Sequence, residues 1–488
     1  MNTLSTVRLT VPAALALDLG TSSVRAIVYD AAGLAIADLN VQRPYQPTLT
    51  SDGGATFDPL ELRDHLFACL DAICQQPAMT AIDCRAVGID TFATNLMAID
   101  AAGQPITPVY SWNDTRSRQA LSRLTADADA RYDRTGTPLH SSFWPARLLW
   151  IREQQPDIWQ RAVRWLSVGE WLQESIFGVA QCSLSLAAWT GLLNRRSGDW
   201  DASTLAQIGL DRDRLSVIDD QPLGRLPDAL AERWPPLRNS VWHGALADGY
   251  AANIGSGAIT PDRAALTIGT SGALRVLVAG VPETVPRGLF CYRVSATQSL
   301  IGGAVSNAGN VYAWLQQTLK LSGDPFAAEA QGDTLPLPDA HGLTVQPFWA
   351  SERSPGWRDE ATAQIAGMTL DTTADDIARA ALEAVLYEIA TVDDLLAGAV
   401  GSRPAIYAAG GVLASSPGWA QVTADILGRA VHLCADPQAS ARGTALLALG
   451  NPAAAAQVTI ERTYQARPAF NAVYQAARAR HHTAPPTA

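Results

Sequence analysis

The sequence predicts an α/β protein built as two domains around a central cleft, and three observations carry that expectation. The chain has 488 residues, more than one core spans at about 100–200 residues per domain. Short apolar runs bounded by turn residues alternate with helical patterns along most of it. One strand-turn-strand segment also occurs twice, far apart in the chain.

Hydrophobic residues make up 48% of the chain and charged residues 17%, so packed cores are expected everywhere but at the ends. A net charge of −11 argues against a nucleic-acid partner, because affinity for a phosphate backbone rests on clustered Lys and Arg. The apolar stretch from Val11 to Leu17 runs straight into Asp18 and falls short of the roughly 20 residues that span a bilayer. Neither export nor a membrane partner is expected, and the expected location is cytoplasmic. Six cysteines (Cys69, Cys74, Cys84, Cys182, Cys291 and Cys434) form no C-x-x-C pair, which fits buried thiols in a reducing compartment. The seven histidines form no zinc-ligand pattern, and His481 and His482 fall in what reads as a polar tail.

One compositional fact removes whole mechanisms. Among 36 basic residues there is a single lysine, Lys320. A Schiff-base enzyme, a P-loop and a protein kinase each need Lys within a motif, and Gln-Thr-Leu-Lys-Leu-Ser-Gly matches none of them.

The repeated segment is Leu17-Asp18-Leu19-Gly20-Thr21-Ser22-Ser23-Val24-Arg25, which returns as Leu266-Thr267-Ile268-Gly269-Thr270-Ser271-Gly272-Ala273-Leu274-Arg275. Each copy reads as a buried hairpin, with Thr21 and Thr270 separated by 249 positions. Gly at the turn allows close approach of a ligand, while Thr and Ser hydroxyls and successive N–H groups can surround phosphate oxygens without lysine. A single such hairpin is better explained by a plain tight turn. Two copies suggest a duplicated domain gripping one nucleotide from both sides, through Gly20, Thr21 and Ser22 and through Gly269, Thr270 and Ser271. Asp18 adds a carboxylate where magnesium on the phosphates needs an oxygen ligand, through water.

A third glycine turn, Ala408-Ala409-Gly410-Gly411-Val412-Leu413-Ala414-Ser415-Ser416, joins an apolar strand to a helix start capped by Ser415 or Ser416. It reads either as a structural turn or as the border of an adenosine pocket. Ahead of the second hairpin, Asp248 ends a short apolar strand and precedes Gly249. Spacing alone leaves two roles open, a helix N-cap or the base that takes a proton from a substrate hydroxyl in phosphoryl transfer. Its place just before a phosphate loop favours the base. The segments Val87 to Asp100 and Tyr110 to Arg116 bring Thr94, Asn95 and Trp112 to polar loops. They suit either a polyhydroxylated ligand, which needs a stacking face and many hydrogen bonds, or a solvated loop with a core tryptophan.

These segments together resemble the FGGY carbohydrate kinase family from Ala16 to about Leu449, and within it the gluconokinase branch. Further support comes from Arg134-Thr135-Gly136-Thr137-Pro138-Leu139-His140, Gly288-Leu289-Phe290-Cys291-Tyr292, Ile301 to Asn310, Ser351-Glu352-Arg353-Ser354-Pro355 and Ser440-Ala441-Arg442-Gly443-Thr444-Ala445. The resemblance implies two actin-like (ribonuclease H-like) domains and a general base at Asp248. It implies that Asp18, Gly20, Thr21, Gly269 and Thr270 serve ATP phosphates and Mg2+, with Asp248 also near the metal. Gly410, Gly411 and Ser415 would border adenosine, with Gly309 and Asn310 near its base. Thr94, Asn95, Trp112, Asp248 and Gly249 would face a sugar. Where many relatives carry a His-bearing loop, this chain has Ala93-Thr94-Asn95.

The expected domains are residues 12–245, an N-terminal FGGY kinase domain with the sugar site and first phosphate loop, and 246–455, a C-terminal one with the base, second loop and adenosine pocket. Residues 469–488 are expected as a polar tail. Asp375 to Val400 reads as a long amphipathic helix with Thr373 as its cap. The expected reaction is transfer of the ATP γ-phosphate to a sugar acid such as gluconate. A pentulose such as xylulose is the alternative acceptor, and a nucleotide-gated sugar sensor without catalysis is the alternative class. The resemblance also admits a homodimer.

Overall fold

In the computed structural model, which describes residues 11–321, 323–331 and 338–483, both repeat copies are antiparallel hairpins at the centre of a mixed sheet. In the first sheet Val11–Leu19 pairs antiparallel with Ser23–Asp30, which pairs with Ala35–Pro44. On its other side Val11–Leu19 pairs parallel with Ile82–Thr91, which also pairs parallel with Val241–Trp242. The second sheet repeats the plan. Arg263–Ile268 pairs antiparallel with Gly272–Ala279, followed by Gln298–Val305 and Phe290–Arg293. Its parallel side is Ala405–Ala409 and then Val431–Cys434. The central strands are fully buried runs such as Ala13 to Leu17, as expected of strands covered on both faces.

The two units meet at a helix crossing. Asp248–Gly255 packs against Ala439–Ala448, and the latter also covers the first sheet although it follows the strands of the second. The backbones touch there. A Cβ on Gly443 would stand 1.8 Å from the Ala251 carbonyl oxygen, and one on Gly255 would stand 1.8 Å from that of Ala439. Arg442 then ties the crossing to the first unit, donating to the carbonyls of Gly33 and Gly255 at 2.9 and 2.6 Å.

Three sequence expectations need correction. Leu246–Ala247 pairs parallel with Asp90 and Thr91, so this strand belongs to the first sheet and the boundary falls after it. The second sheet runs past residue 455, because Ile460–Tyr464 pairs antiparallel with Val431–Cys434. The polar tail is largely a helix, Pro468–Thr483. Tyr474, Ala477 and His481 repeat at helical spacing and are buried, and His481 Nε2 lies 3.0 Å from Glu388 Oε1. The last part of that tail, 484–488, lies outside the described residues.

The long helix is Ala374–Val400, opened by a capping box between Thr373 and Asp376. It is buried on more than the expected stripe, because the second sheet lies on one side and Pro417–Leu427 and Pro468–Thr483 on others. Its inward charges are paired: Arg379 with Glu329 at 2.6 Å, Glu383 with His341 at 3.1 Å, and Asp393 with Arg429 and Arg403. Among the described residues no helix is long and apolar enough to cross a membrane. All six cysteines are free, and every one but the half-buried Cys74 is buried.

Candidate active site in the interdomain cleft

Both Gly-Thr-Ser turns open into one cleft of about 690 Å3, which Gly20, Thr21 and Ser22 line from one side and Gly269, Thr270 and Ser271 from the other. The first turn is closed by Gly20 N–H donating to Ser23 O at 3.1 Å, and Tyr45 braces it by donating its N–H to Ser22 O. The second is closed by Gly269 N–H to Ser271 O at 2.9 Å and braced by Gly309 and Asn310, whose N–H groups donate to Gly269 O and Thr270 O. Backbone bonds thus fix both loops, which leaves their hydroxyls to a ligand. A Cβ on Gly269 would meet nothing within 4 Å.

The two copies differ in one charge. Asp18 accepts a 2.7 Å ion pair from Arg25, whereas at the equivalent place Thr267 accepts from Arg275 at 2.8 Å. Asp18 stands beside Asp90 in the parallel ladder, and Leu246, two residues before Asp248, stands on the other side of Asp90. Three carboxylates therefore gather at adjacent strand ends. Asp90 is fully buried, with Thr444 donating its hydroxyl to it at 2.7 Å. Burial and the neighbouring Asp18 push its carboxyl well above the usual range. Asp90 was passed over in sequence, although an aspartate inside the apolar run Val87-Gly88-Ile89-Asp90 was a signal in plain view.

Asp248 is the first residue of its helix. Ala247 occupies the cap position, and no side chain caps this end. The carboxylate accepts from the Gly249 N–H at 2.7 Å and lines the cleft. Burial raises its carboxyl, Arg275 opposes the rise and Asp18 adds to it, leaving the group at about 6. A carboxylate at that level holds its proton weakly enough to be free at neutral pH and strongly enough to accept one, which suits a general base.

Beside Asp248 the cleft narrows to an inner pocket of about 110 Å3. Its walls are aromatic: Trp112, Trp189, Phe290, Tyr292 and Trp357, with the Tyr292 ring 4.0 Å from Trp189 and 4.3 Å from Phe290. Thr94 lines it too, at φ 58, a conformation unusual for a β-branched residue. Arg147 Nη1 holds the Thr94 carbonyl at 2.9 Å, and the buried Thr94 hydroxyl has no partner. Two guanidinium groups complete the pocket, Arg275 and Arg353. Among the described residues neither forms an ion pair with a carboxylate. Arg353 is spent on neutral groups, donating to Val305 O at 3.0 Å and stacking 4.2 Å over Trp112. Burial lowers it to about 10, so it stays charged at neutral pH.

Of the residues expected at the site, Asp18, Gly20, Thr21, Ser22, Trp112, Asp248, Gly249, Gly269, Thr270, Ser271, Gly411 and Ser415 line the larger cleft, and Thr94 lines the inner pocket. Four are not brought to a cavity wall. Asn95, expected to face a sugar, turns inward. Its Oδ1 accepts from Val168 N–H at 2.7 Å and its amide donates to Phe92 O, so it ties the loop to the core. Gly309 and Asn310 brace the second turn from behind, and Gly410, at φ 117, presses on Ile268 O, 2.5 Å from where its Cβ would be. The stretch from Pro437 to Ser440, not anticipated, lines the cleft beside Gly411 and Ser415.

The family model for the N-terminal domain of the FGGY family of carbohydrate kinases matches residues 13–255, and that for the C-terminal domain matches residues 264–450. A gluconokinase of Bacillus subtilis is 28% identical over 454 residues, covering 89% of this chain and 86% of the relative. Among solved structures, a gluconate kinase from Lactobacillus acidophilus superposes with TM-score 0.86 at 24% identity, covering 97% of each chain. A xylulose kinase from the same organism gives TM-score 0.86 at 25% identity, covering 96% of this chain and 97% of that one.

Proposed function

Because this chain belongs to the FGGY family of carbohydrate kinases, and is an ATP-dependent phosphotransferase, we propose that its acceptor is a sugar acid, with gluconate going to 6-phosphogluconate as the leading case. The observation that carries this reading is the pair Arg275 and Arg353, which bring two positive charges to an inner pocket whose one carboxylate, Asp248, forms an ion pair with neither among the described residues. A guanidinium held on neutral groups in a confined pocket is poised for a ligand carboxylate, and such charge-assisted bonds exceed neutral ones about twofold. A pentulose, the alternative acceptor, carries no charge to use them.

In the reaction so proposed, Asp248 takes the proton of the acceptor hydroxyl as its oxygen attacks the γ-phosphorus. A new O–P bond forms, the bond from phosphorus to the β,γ-bridging oxygen breaks, and ADP leaves. The Gly20–Ser22 and Gly269–Ser271 turns surround the phosphates with N–H and hydroxyl donors. Gly411, Ser415 and Pro437 to Ser440 flank the adenosine side. The donor set of Asp18 and Asp248, oxygen-only and facing the phosphate loops, fits Mg2+ held through water, and that ion would neutralise phosphate charge. Dependence on ATP and six free cysteines support a cytoplasmic setting.

The test is ADP release by the purified protein with Mg-ATP across aldonates, pentuloses, polyols and glycerol, against a blank without acceptor. Strong response confined to aldonates supports the reading. Response to a pentulose or glycerol alone removes it, and sugar binding without any ADP release leaves a sensor.

A further inference from the structure

Beyond the inner pocket the cleft continues into a second chamber of about 590 Å3. Its walls come from both units: the loop around Gly53 and the stretch from Trp112 to Arg118 on one side, and the stretches around Trp349 and Glu360 on the other. Trp112 and Arg353 line both the chamber and the inner pocket, so their stacked pair is the partition between them. The inner pocket, at about 110 Å3, is much the smaller of the two spaces. An acid bound there with its acceptor hydroxyl at Asp248 has the partition at its other side, since Asp248 and Arg353 both line the pocket.

The chamber wall has the chemistry of a carbohydrate subsite, in which flat apolar faces alternate with unspent donors. Trp112 and Trp349 line it with indole rings. The side chains of Asn113, Arg118 and Ser351 make no hydrogen bond or ion pair among the described residues. Ser351 is moreover held at φ 57, a conformation that costs energy for a residue other than glycine. His140 adds a buried donor. It is 4% exposed, and Ser142 N–H donates to its Nδ1 at 3.1 Å, which puts the ring proton on Nε2. That Nε2 makes no hydrogen bond of ordinary geometry, Asp359 Oδ2 lying 3.5 Å away and the Glu352 backbone near the ring. Burial holds the ring neutral, at about 4.

Resting on the sugar-acid reading above, we propose that this chamber is a second carbohydrate subsite, which takes the glycosyl unit of a glycosylated sugar acid whose acid portion occupies the inner pocket. The chemistry at Asp248 is unchanged. What the chamber adds is acceptance of a disaccharide acid as phosphoryl acceptor.

The experiment uses gluconate and its 4-O-galactosyl and 4-O-glucosyl derivatives as probes. Tryptophan fluorescence without ATP reports binding, and ADP release with Mg-ATP reports turnover, in the wild type, Trp349→Ala and Asn113→Ala. The expected result is saturable quenching by at least one disaccharide acid, weakened about tenfold in Trp349→Ala, with gluconate turnover within about twofold of wild type. Asn113, being exposed, provides a variant that tests the chamber if Trp349→Ala fails to fold. No binding of any disaccharide acid overturns the subsite, as does binding unaltered in both variants. Gluconate turnover without disaccharide binding removes the subsite and leaves the acceptor reading. Disaccharide binding without turnover of any acid does the reverse.

Discussion

Asp248, at a helix start, and Arg275, on a strand of the second sheet, line the same pocket with no ion pair joining them among the described residues. The guanidinium is close enough to pull the carboxyl down, burial and Asp18 push it up, and the group rests at about 6. A base must be ionised to work, so kcat/KM is expected to fall as pH drops through about 6 and to level off above 7. Arg275→Gln removes the opposing charge and should move that limb to higher pH. The check is a pH-rate profile of both proteins at saturating Mg-ATP. A wild-type profile flat from pH 5 to 8 would take the base role from Asp248.

Asp248→Asn separates catalysis from stability, because the two should move in opposite directions. Loss of the base should lower turnover by about 10²–10⁴. The carboxyl sits near 6 in the folded protein against an ordinary 3.8, so folding binds a proton between those values. Ionised Asp248 therefore destabilises the native state above about pH 6 and costs nothing below about pH 4. The variant should melt at a higher temperature than wild type at pH 7.5, and the difference should close on acidification. Near wild-type turnover in this variant would sink the assignment.

What could be read in advance follows from the range over which each signal acts. The Gly-Thr-Ser hairpins and the strand end before Asp248 were legible because their signals are contained in a few consecutive residues. The helix from Ala374 was legible because Thr373 and Asp376 cap it locally. Asn95 was misplaced because its decisive partner, the Val168 N–H, is remote in sequence. His481 was assigned to a tail for the same reason, its partner Glu388 lying on another helix. Arg275 and Arg353 were both quoted in family segments, yet their joint meaning needs the fold that sets them in one pocket.

Gly269 in the second phosphate turn and Gly309 behind it should respond differently to the same added methyl group. A Cβ on Gly269 meets open space, while one on Gly309 would stand 2.5 Å from the Gly269 carbonyl oxygen and 2.9 Å from Val412. Gly269→Ala should keep the wild-type melting temperature and raise the KM for ATP, since the methyl group occupies the phosphate side of the cleft. Gly309→Ala should lower the melting temperature as well, because backbone must move. Thermal denaturation with ATP-dependent kinetics on both variants tests this. Equal melting temperatures would mean that Gly309 does not brace the turn.

The helix crossing beneath the site gives the sharpest contrast in stability. Gly443 and Gly255 let Asp248–Gly255 and Ala439–Ala448 touch through backbone, and a methyl group on Gly443 would stand 1.8 Å from the Ala251 carbonyl oxygen. Backbone cannot rotate away as a side chain can, so the helices must separate. Overpacking of this kind costs about 1–3 kcal/mol. Separation also displaces Asp248 at one helix start and the Pro437–Ser440 wall at the start of the other. Gly443→Ala should therefore lose stability and turnover together. Gly398, near the end of the long helix, has open space around its Cβ position. Alanine there should stabilise by about 0.5–1 kcal/mol and leave kinetics unchanged. Melting curves and kcat for the two variants decide the matter, since equal behaviour would mean that the crossing tolerates separation and does not position the base.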